Sequence, residues 1–569
     1  MLGPIVTGIL SAVVAQAVLW LQMRMQDGNS LAGVPAYAGA LIGTAIALFF
    51  CFAFRRRRDL SSDYHGISDM LIHIHQSASP DVPSRWLGRS AISAFFSIFS
   101  GNVGSEGPAM ELVYGAFLRF RPRSARWFEQ RRRTEASSTL AAGIAASFGA
   151  PFAAILAPIE LGTGGRAISS AVCALSAYLS SRFLIAFFSL HKFEVAGSFY
   201  EVSLAGAKEW IALVLTAVVC GFCGIVLAGF IDYFGKSLRK AVGHSSGQTG
   251  WARIALGGGL LVAVFAIYPP AARLPYGVLE DLFWGRVSLG DSGILFFSKA
   301  LSFAIILGAF GTAGAFWPIF ALGGLFGFVF SQGVLHGFFP DLAAFAPLAA
   351  LAGASAFWGS MLGAPVTGAV LACELTDSMK FLFPCLVAGL IARELAQRLG
   401  ARTLFERDLG ARGLRLSEGR LESILATLKV SDAMVVDFEC SREEEPVAEA
   451  RQKLLRATHP FLPVVRADGT YSGLLTIDMV HESVAEGAHG QSSLAKLLEV
   501  KDLLYRSGFR TPQVEQDDPL TVTIGLFHDI PCVPVVGKDG KVQGLLYGQN
   551  VRLIYDREVS RRSLHSSAI

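Results

Sequence analysis

Between Asp291 and Asp341 the only lysine, arginine, aspartate or glutamate in 49 residues is Lys299. Soluble domains carry about one charged residue in four, so this stretch points to a chain that folds in lipid. Comparable apolar runs recur at Pro4–Met23, Val34–Phe54, Ile168–Leu190, Trp210–Phe230, Ile254–Tyr268 and Gly293–Ser331. A helix needs about 20 such residues to cross about 30 Å of hydrocarbon, and several of these runs qualify. The whole chain agrees: 52% hydrophobic, 17% charged, mean hydropathy +0.47. Two further stretches, Ala136–Leu161 and Pro347–Glu374, are broken by Gly and Pro into pieces too short to cross. In a soluble protein they would be buried core helices. In a chain committed to the bilayer they read as broken helices lining a cavity, because irregular backbone at membrane depth is tolerated only inside protein or beside water.

The first segment lacks a basic leader and a cleavage site, and is expected to be a retained membrane helix. Arg55–Arg58, and Arg119, Arg121, Arg123, Arg126 and Arg131–Arg133, are expected on the cytoplasmic side. A formal net charge of +4 is too small to argue for nucleic acid. The eight cysteines show neither a disulfide framework nor zinc spacing, and Cys220-Gly-Phe-Cys223 lies in an apolar helix where packing explains it.

The stretch richest in chemistry is Gly101-Asn102-Val103-Gly104-Ser105-Glu106-Gly107-Pro108. It sets one carboxylate in a glycine-rich loop, with a proline where a new helix would start. Desolvating an ion costs several kcal/mol even after relaxation, so an intramembrane acid is a functional candidate by default. Glycines let backbone approach a ligand closely, and proline at the first helical position leaves the helix's N-terminal amides free to face an anion.

The membrane part repeats itself. Ala150-Pro151 through Glu160-Leu161 resembles Ala364-Pro365 through Glu374-Leu375, and upstream of each is a glycine-rich loop ending in proline, Gly104–Pro108 and Gly314–Pro318. Paired interrupted segments in corresponding positions of two halves point to a substrate site. After about Arg407 the apolar runs shrink to strand length. Two similar modules follow, each with a strand, an Asp-Gly turn (Asp468-Gly469 and Asp539-Gly540) and a second strand, which suggests a pair of small α/β modules.

These motifs resemble the CLC family of chloride channels and proton/chloride exchangers, and the tail resembles a tandem pair of CBS domains. The expected fold is mainly α: a polytopic membrane protein of two inverted-repeat halves with broken helices, followed by the α/β CBS pair. The expected boundaries are 1–406 for the transport domain, 407–427 a linker, 428–487 the first CBS repeat, 488–500 a linker, 501–557 the second repeat and 558–569 a tail. Gly104-Ser105-Glu106-Gly107-Pro108 matches the family's G-x-E-G-P motif, which implies that Glu106 gates and that Gly104, Ser105 and Gly107 touch the anion. Gly314-Ala315-Phe316-Trp317-Pro318 matches G-x-F-x-P, whose amides, at Ala315 and Phe316, line the anion site. The resemblance further implies a homodimer with one anion pathway per subunit. The physics agrees, since a helix N-terminus carries about half a positive charge plus free N–H groups, and several converging would hold an anion without binding it too tightly to conduct.

Three departures from the family pattern bear on mechanism. At the spacing of the family's G-S-G-I-P motif stands Tyr64-His65-Gly66-Ile67-Ser68, so His65, with Gly66 and Ile67, takes the place of the anion-coordinating serine segment. His65 either keeps a hydrogen bond the serine would make or binds the anion as a donor. Leu161 occupies the position of the inner glutamate that relays protons in exchangers, and the adjacent Glu160 faces about 100° away along a helix. The expectation is passive anion conduction or weak proton coupling, with proton/chloride exchange as the alternative. Phe405 falls where the family places an anion-binding tyrosine and offers no hydroxyl. Glu111 and Glu374 either satisfy hydrogen bonds or join a proton path.

In the tail, Thr476 and Asp478 match the ribose-binding pattern of CBS pairs, and Gly548 and Asn550 are the weaker counterpart. The cleft either binds an adenine nucleotide or is a dimerisation cap that binds nothing; no cofactor is required. The partners expected are chloride or another small anion, protons, a second copy and the lipid bilayer, in a bacterial inner (plasma) membrane with the CBS pair cytoplasmic. A fluoride exporter is disfavoured by the intact Pro108, and a membrane-anchored CBS sensor by a glutamate at mid-membrane. No P-loop, nucleophile elbow or metal cluster suggests an enzyme.

Overall fold

The computed structural model describes residues 2–26, 102–119, 125–163, 166–188, 206–242, 249–310, 314–411, 428–456, 461–477, 479–480, 498–507, 512–523, 526–528 and 532–566, with isolated positions between 38 and 98. His65, Gly66, Ile67 and Asp478 lie outside the described residues, as do Arg55–Arg58 and most of the Val34–Phe54 run. The chain forms two compact units, which meet in sequence at Leu421 and Glu422.

The first unit is helical. Among the described residues, five helices are long and apolar enough to cross a membrane: Gly3–Met23, Ala167–Phe188, Ala207–Leu238, Leu289–Phe310 and Phe316–Phe338. The helices, in chain order, begin with α1 (Leu2–Gln26), α2 (Glu106–Arg119), α3 (Ala125–Phe148), α4 (Pro151–Glu160) and α5 (Ala167–Phe188). They continue with α6 (Ala207–Val242), α7 (Thr249–Ile267), α8 (Pro275–Phe283), α9 (Leu289–Phe310) and α10 (Phe316–Phe330). Last come α11 (Ala346–Phe357), α12 (Pro365–Thr376), α13 (Leu382–Arg398) and α14 (Leu404–Ala411). At about 1.5 Å per residue, α4 and α12 span only about half the hydrocarbon core, as their Gly/Pro breaks predict. The run Gly293–Ser331 is two elements: α9 ends at Phe310 and α10 starts at Phe316, so the chain is interrupted where Gly314 and Ala315 fall.

The internal repeat is visible in the backbone. Gly149 and Gly363 both take positive φ (66° and 76°), which an L side chain rarely adopts. Ala150 (φ −121°, ψ 83°) and Ala364 (φ −120°, ψ 64°) follow, and a proline then opens each helix. The same three-residue device therefore starts both short helices, which pack against each other.

Lipid-facing and protein-facing surfaces divide by residue type. Phe183, Phe187 and Phe188 of α5 and Phe222 and Val226 of α6 are exposed, as a hydrocarbon solvent allows, while Ala, Gly and Ser fill the helix contacts. At the polar end of α6, Asp232 pairs with Lys236 at 2.8 Å and with Arg407 of α14 at 3.7 Å.

The second unit contains two halves, one with a three-stranded and one with a two-stranded sheet. β1 (Ser441–Arg442) pairs parallel with β2 (Phe461–Val465), and β2 pairs antiparallel with β3 (Tyr471–Thr476). β4 (Cys532–Val536) pairs antiparallel with β5 (Val542–Tyr547). The two hairpins share a register: Val464 opposes Gly473 and Val535 opposes Gly544, with an irregularity one residue later in each. Gly469 (φ 81°) and Gly540 (φ 77°) turn them, as the Asp-Gly pairs predict. Helices α15 (Val447–Arg456), α16 (Val500–Ser507) and α17 (Gly548–Ser566) complete the unit. Bridges Thr470–Lys541 and Val435–Leu545, and the buried cluster Leu474, Cys532, Leu545 and Tyr547, join the two halves.

Candidate anion site

Glu106 is the first residue of α2 and is fully buried. Its Oε1 accepts hydrogen bonds from the backbone N–H of Phe316 at 2.9 Å and of Trp317 at 3.2 Å. Those are the first two amides of α10, which no intrahelical carbonyl can satisfy. The carboxylate therefore sits where the partial positive charge of a helix start is greatest. Its Oε2 is buried without a hydrogen-bond partner among the described residues.

Two glycines make this approach possible. Gly104 N–H donates to Gly314 O at 3.2 Å, an isolated antiparallel bridge between the two sequence loops. A methyl group on Gly314 would overlap the Gly104 carbonyl, and one on Gly104 would overlap the Glu106 carboxylate itself. Ser105 Oγ donates to Ser147 Oγ at 3.0 Å and fixes the middle of the loop to α3. Ala315, the residue before α10, is buried, and its carbonyl accepts Ile319 N–H. Gly107 lies in the first turn of α2.

Aromatic rings hold the start of α10 in place. Trp317 stacks on Phe148 (centroids 4.2 Å apart, 15° between planes). Phe316 lies 5.2 Å from Trp358, and Phe405 meets it edge-on at 6.4 Å. The structure thus brings Phe405 against the residue whose amide holds Glu106. A cavity of about 150 Å³, room for a few water molecules, is lined by Ser147, Phe148 and Trp317 beside the loop and by Glu374 and Asp377 farther out.

Glu160 and Glu374 have positions that the sequence left open. Glu160 Oε1 and Oε2 accept from Val366 N–H (3.0 Å) and Thr367 N–H (2.7 Å), the start of α12. Glu374 returns the arrangement, its two oxygens accepting from Phe152 N–H (2.9 Å) and Ala153 N–H (2.8 Å) at the start of α4. The starts of α4 and α12 are thus filled by the protein's own carboxylates. The signal was present, since both glutamates stand nine residues after the proline of the repeated segment, but a repeat alone does not say that each copy caps the other. Leu161 ends α4, buried and apolar, with its N–H on Ala157 O at 2.9 Å. Glu111 is buried in α2. Sequence reasoning did not anticipate the contacts of Asn102 and Ser147. In the second unit, Thr476 ends β3 and its Oγ1 accepts from Met479 N–H at 3.3 Å, while Asn550 lies half-buried in α17.

A family model described as "Voltage gated chloride channel" matches residues 43–397, and a CBS domain model matches 430–486. The chain is 26% identical over 454 residues to an H(+)/Cl(-) exchange transporter ClcA of Yersinia pestis bv. Antiqua (strain Angola), covering 74% of this chain and 88% of that one. It shares its fold with a eukaryotic CLC transporter (TM-score 0.59, 17% identity, 96% of this chain and 97% of the other). It likewise shares its fold with a slow cyanobacterial Cl-/H+ antiporter (TM-score 0.57, 19% identity, 71% and 94%). Two glycine loops joined by a single bridge, a glutamate seated on the start of a half-helix and a matching family model spanning both lead to one conclusion: this chain belongs to the voltage gated chloride channel family, the CLC transporters, and carries a CBS domain.

Proposed function

We propose that the chain exchanges chloride or a similar small anion for protons, with Glu106 as a tethered competitor of the anion. The observation that carries this reading is the seat of Glu106. One of its oxygens takes both amides of the α10 start, and the other takes none. A chloride seeks the same two donors. When the carboxylate is ionised it outcompetes the anion by attachment; when it takes up a proton it loses the charge those donors favour, and an anion replaces it. One group thus links anion occupancy to proton uptake. The named function of the Yersinia relative, an H(+)/Cl(-) exchange transporter, supports the exchange reading.

Leu161 favours a second reading, in which coupling is weak and conduction passive. A buried leucine at the inner position carries no proton, and Glu160 next to it is engaged on α12. The experiment that separates the two imposes a chloride gradient on proteoliposomes with a proton-sensitive dye inside. Uphill proton movement with a fixed anion-to-proton ratio supports exchange, and anion flux without proton movement supports the channel. Glu106→Gln is expected to abolish the pH dependence of flux; flux that still responds to pH would reject Glu106 as the gate.

The remaining elements of the reading are a homodimer in the bilayer, His65, Gly66 and Ile67 at the anion path, and an adenine nucleotide held near Thr476, Asp478 and Asn550. Sedimentation in detergent, anion selectivity of His65→Ser, and calorimetry with ATP, ADP and AMP against Asp478→Ala test them in turn.

A further inference from the structure

Lys299, the lone charge of the longest apolar stretch, is buried on α9 and 1% exposed. Its Nζ donates to Asn102 Oδ1 at 3.1 Å, to Ala271 O at 3.2 Å and to Arg273 O. Asn102, equally buried, donates from Nδ2 back to the Lys299 carbonyl at 3.2 Å. Two hydrogen bonds in opposite directions therefore join α9 to the loop two residues before Gly104. Among the described residues no acid pairs with Lys299. A buried ammonium without a carboxylate carries a desolvation penalty that an apolar side chain of similar size would avoid. The contacts it makes are what sets it apart, and one of them is on the loop that carries Glu106.

That loop is pinned at four places: Asn102 to Lys299, the Val103 carbonyl to Gln22 Nε2 at 3.1 Å, Gly104 to Gly314 and Ser105 to Ser147. The last two lie beside the carboxylate. The first fixes the backbone end from which the others hang. We propose that Lys299 and Asn102 form a clasp that sets how strongly Glu106 competes with the permeant anion, which makes both positioning residues. The inference rests on the competitor reading above. Loosening the clasp lets the loop shift, so the carboxylate fits the α10 amides less well and an anion displaces it more easily.

The test is the chloride dependence of flux by purified full-length protein in liposomes. Asn102→Ala cuts the clasp and keeps the lysine charge. It is expected to lower the half-saturating chloride concentration by about three- to tenfold, a part of the worth of the two hydrogen bonds it removes. In a Glu106→Gln background the same substitution is expected to change nothing, because no carboxylate is left to position. Lys299→Met is expected to shift chloride dependence in the same direction as Asn102→Ala, since the lost charge acts alike on a carboxylate and a chloride at the same amides, and Lys299→Arg is expected to restore it. If Lys299→Met yields no folded protein, Asn102→Ala decides alone. An unchanged half-saturation in Asn102→Ala, or an equal shift in the Glu106→Gln background, overturns the clasp. If Glu106→Gln itself leaves chloride dependence untouched, the competitor reading falls and the clasp with it.

Discussion

The starts of α4 and α12 and the start of α10 each bind a glutamate through two consecutive amides, yet they do so differently. Glu374 and Glu160 each give one oxygen to each amide, so both oxygens and both donors are satisfied. Each also stands at the C-terminal end of the very helix whose start the other caps, so the two short helices lock each other. Glu106 gives one oxygen to both amides of α10 and leaves the second unbonded among the described residues. The same chemistry thus makes a closed joint in one place and an under-satisfied one in the other. Charge-assisted hydrogen bonds are each stronger than neutral ones, so on the function proposed above what separates a structural cap from a displaceable one is how completely the acid is used. The C-terminal unit shows a third arrangement. There Glu445 is held by a full cation, Lys453 at 2.8 Å, together with Ser441 Oγ and Arg442 N–H.

The largest effect is expected from Gly314→Ala. Its methyl would strike the Gly104 carbonyl, a backbone atom that cannot turn aside, so chloride efflux per unit of folded protein should fall at least tenfold by analogy with other core overpacking. Flux near wild type would mean the bridge between the loops is dispensable.

Next come the reciprocal caps. Glu374→Ala and Glu160→Ala each leave two donors without an acceptor, and each should lower stability by about 2–3 kcal/mol, read as a drop in the thermal midpoint in detergent. Glu106→Ala should lower it by clearly less. Equal losses at all three positions would erase the distinction between joint and gate.

Gly104→Ala sharpens the comparison from the other side. The three atoms nearest its methyl all belong to the Glu106 carboxylate, so the carboxylate should be pushed off its seat while the fold survives. The variant should reproduce the pH-insensitive flux of Glu106→Gln with stability within about 1 kcal/mol of wild type. Retained pH dependence would place the gate's hold elsewhere.

The smallest effect belongs to Glu445. Burial opposes its charge, but Lys453, Ser441 and the Arg442 amide outweigh burial and hold its carboxyl below the ordinary glutamate value. A depressed acid contributes stability above its unfolded value, near 4.3, and loses it as pH falls through the lower folded value. Acid unfolding of the C-terminal unit, followed by near-ultraviolet circular dichroism, should therefore steepen below about pH 4 and be shallower in Glu445→Gln.

Much of this arrangement was legible in the chain. Charge-poor runs announced the membrane helices, and Gly and Pro breaks announced α4 and α12 as half-length. The loop around Glu106 stood out because a carboxylate has no cheap place among apolar segments. Phe405 was placed beside the site by resemblance, and the structure sets its ring on Phe316. What could not be read was partnership across the fold. Lys299 lies 197 residues from Asn102, and Glu160 lies 206 from Val366. No local pattern encodes a contact at that separation.

The sequence by itself determined where the chain enters lipid, where its helices break and which acids must be buried, because hydropathy, proline and glycine act locally. Only the tertiary structure decided what each buried charge does. Glu106, Glu160 and Glu374 are the same residue, the first fully buried and the other two half-buried. Their difference lies in which distant helix start each one reaches and in how many of its oxygens find a donor there.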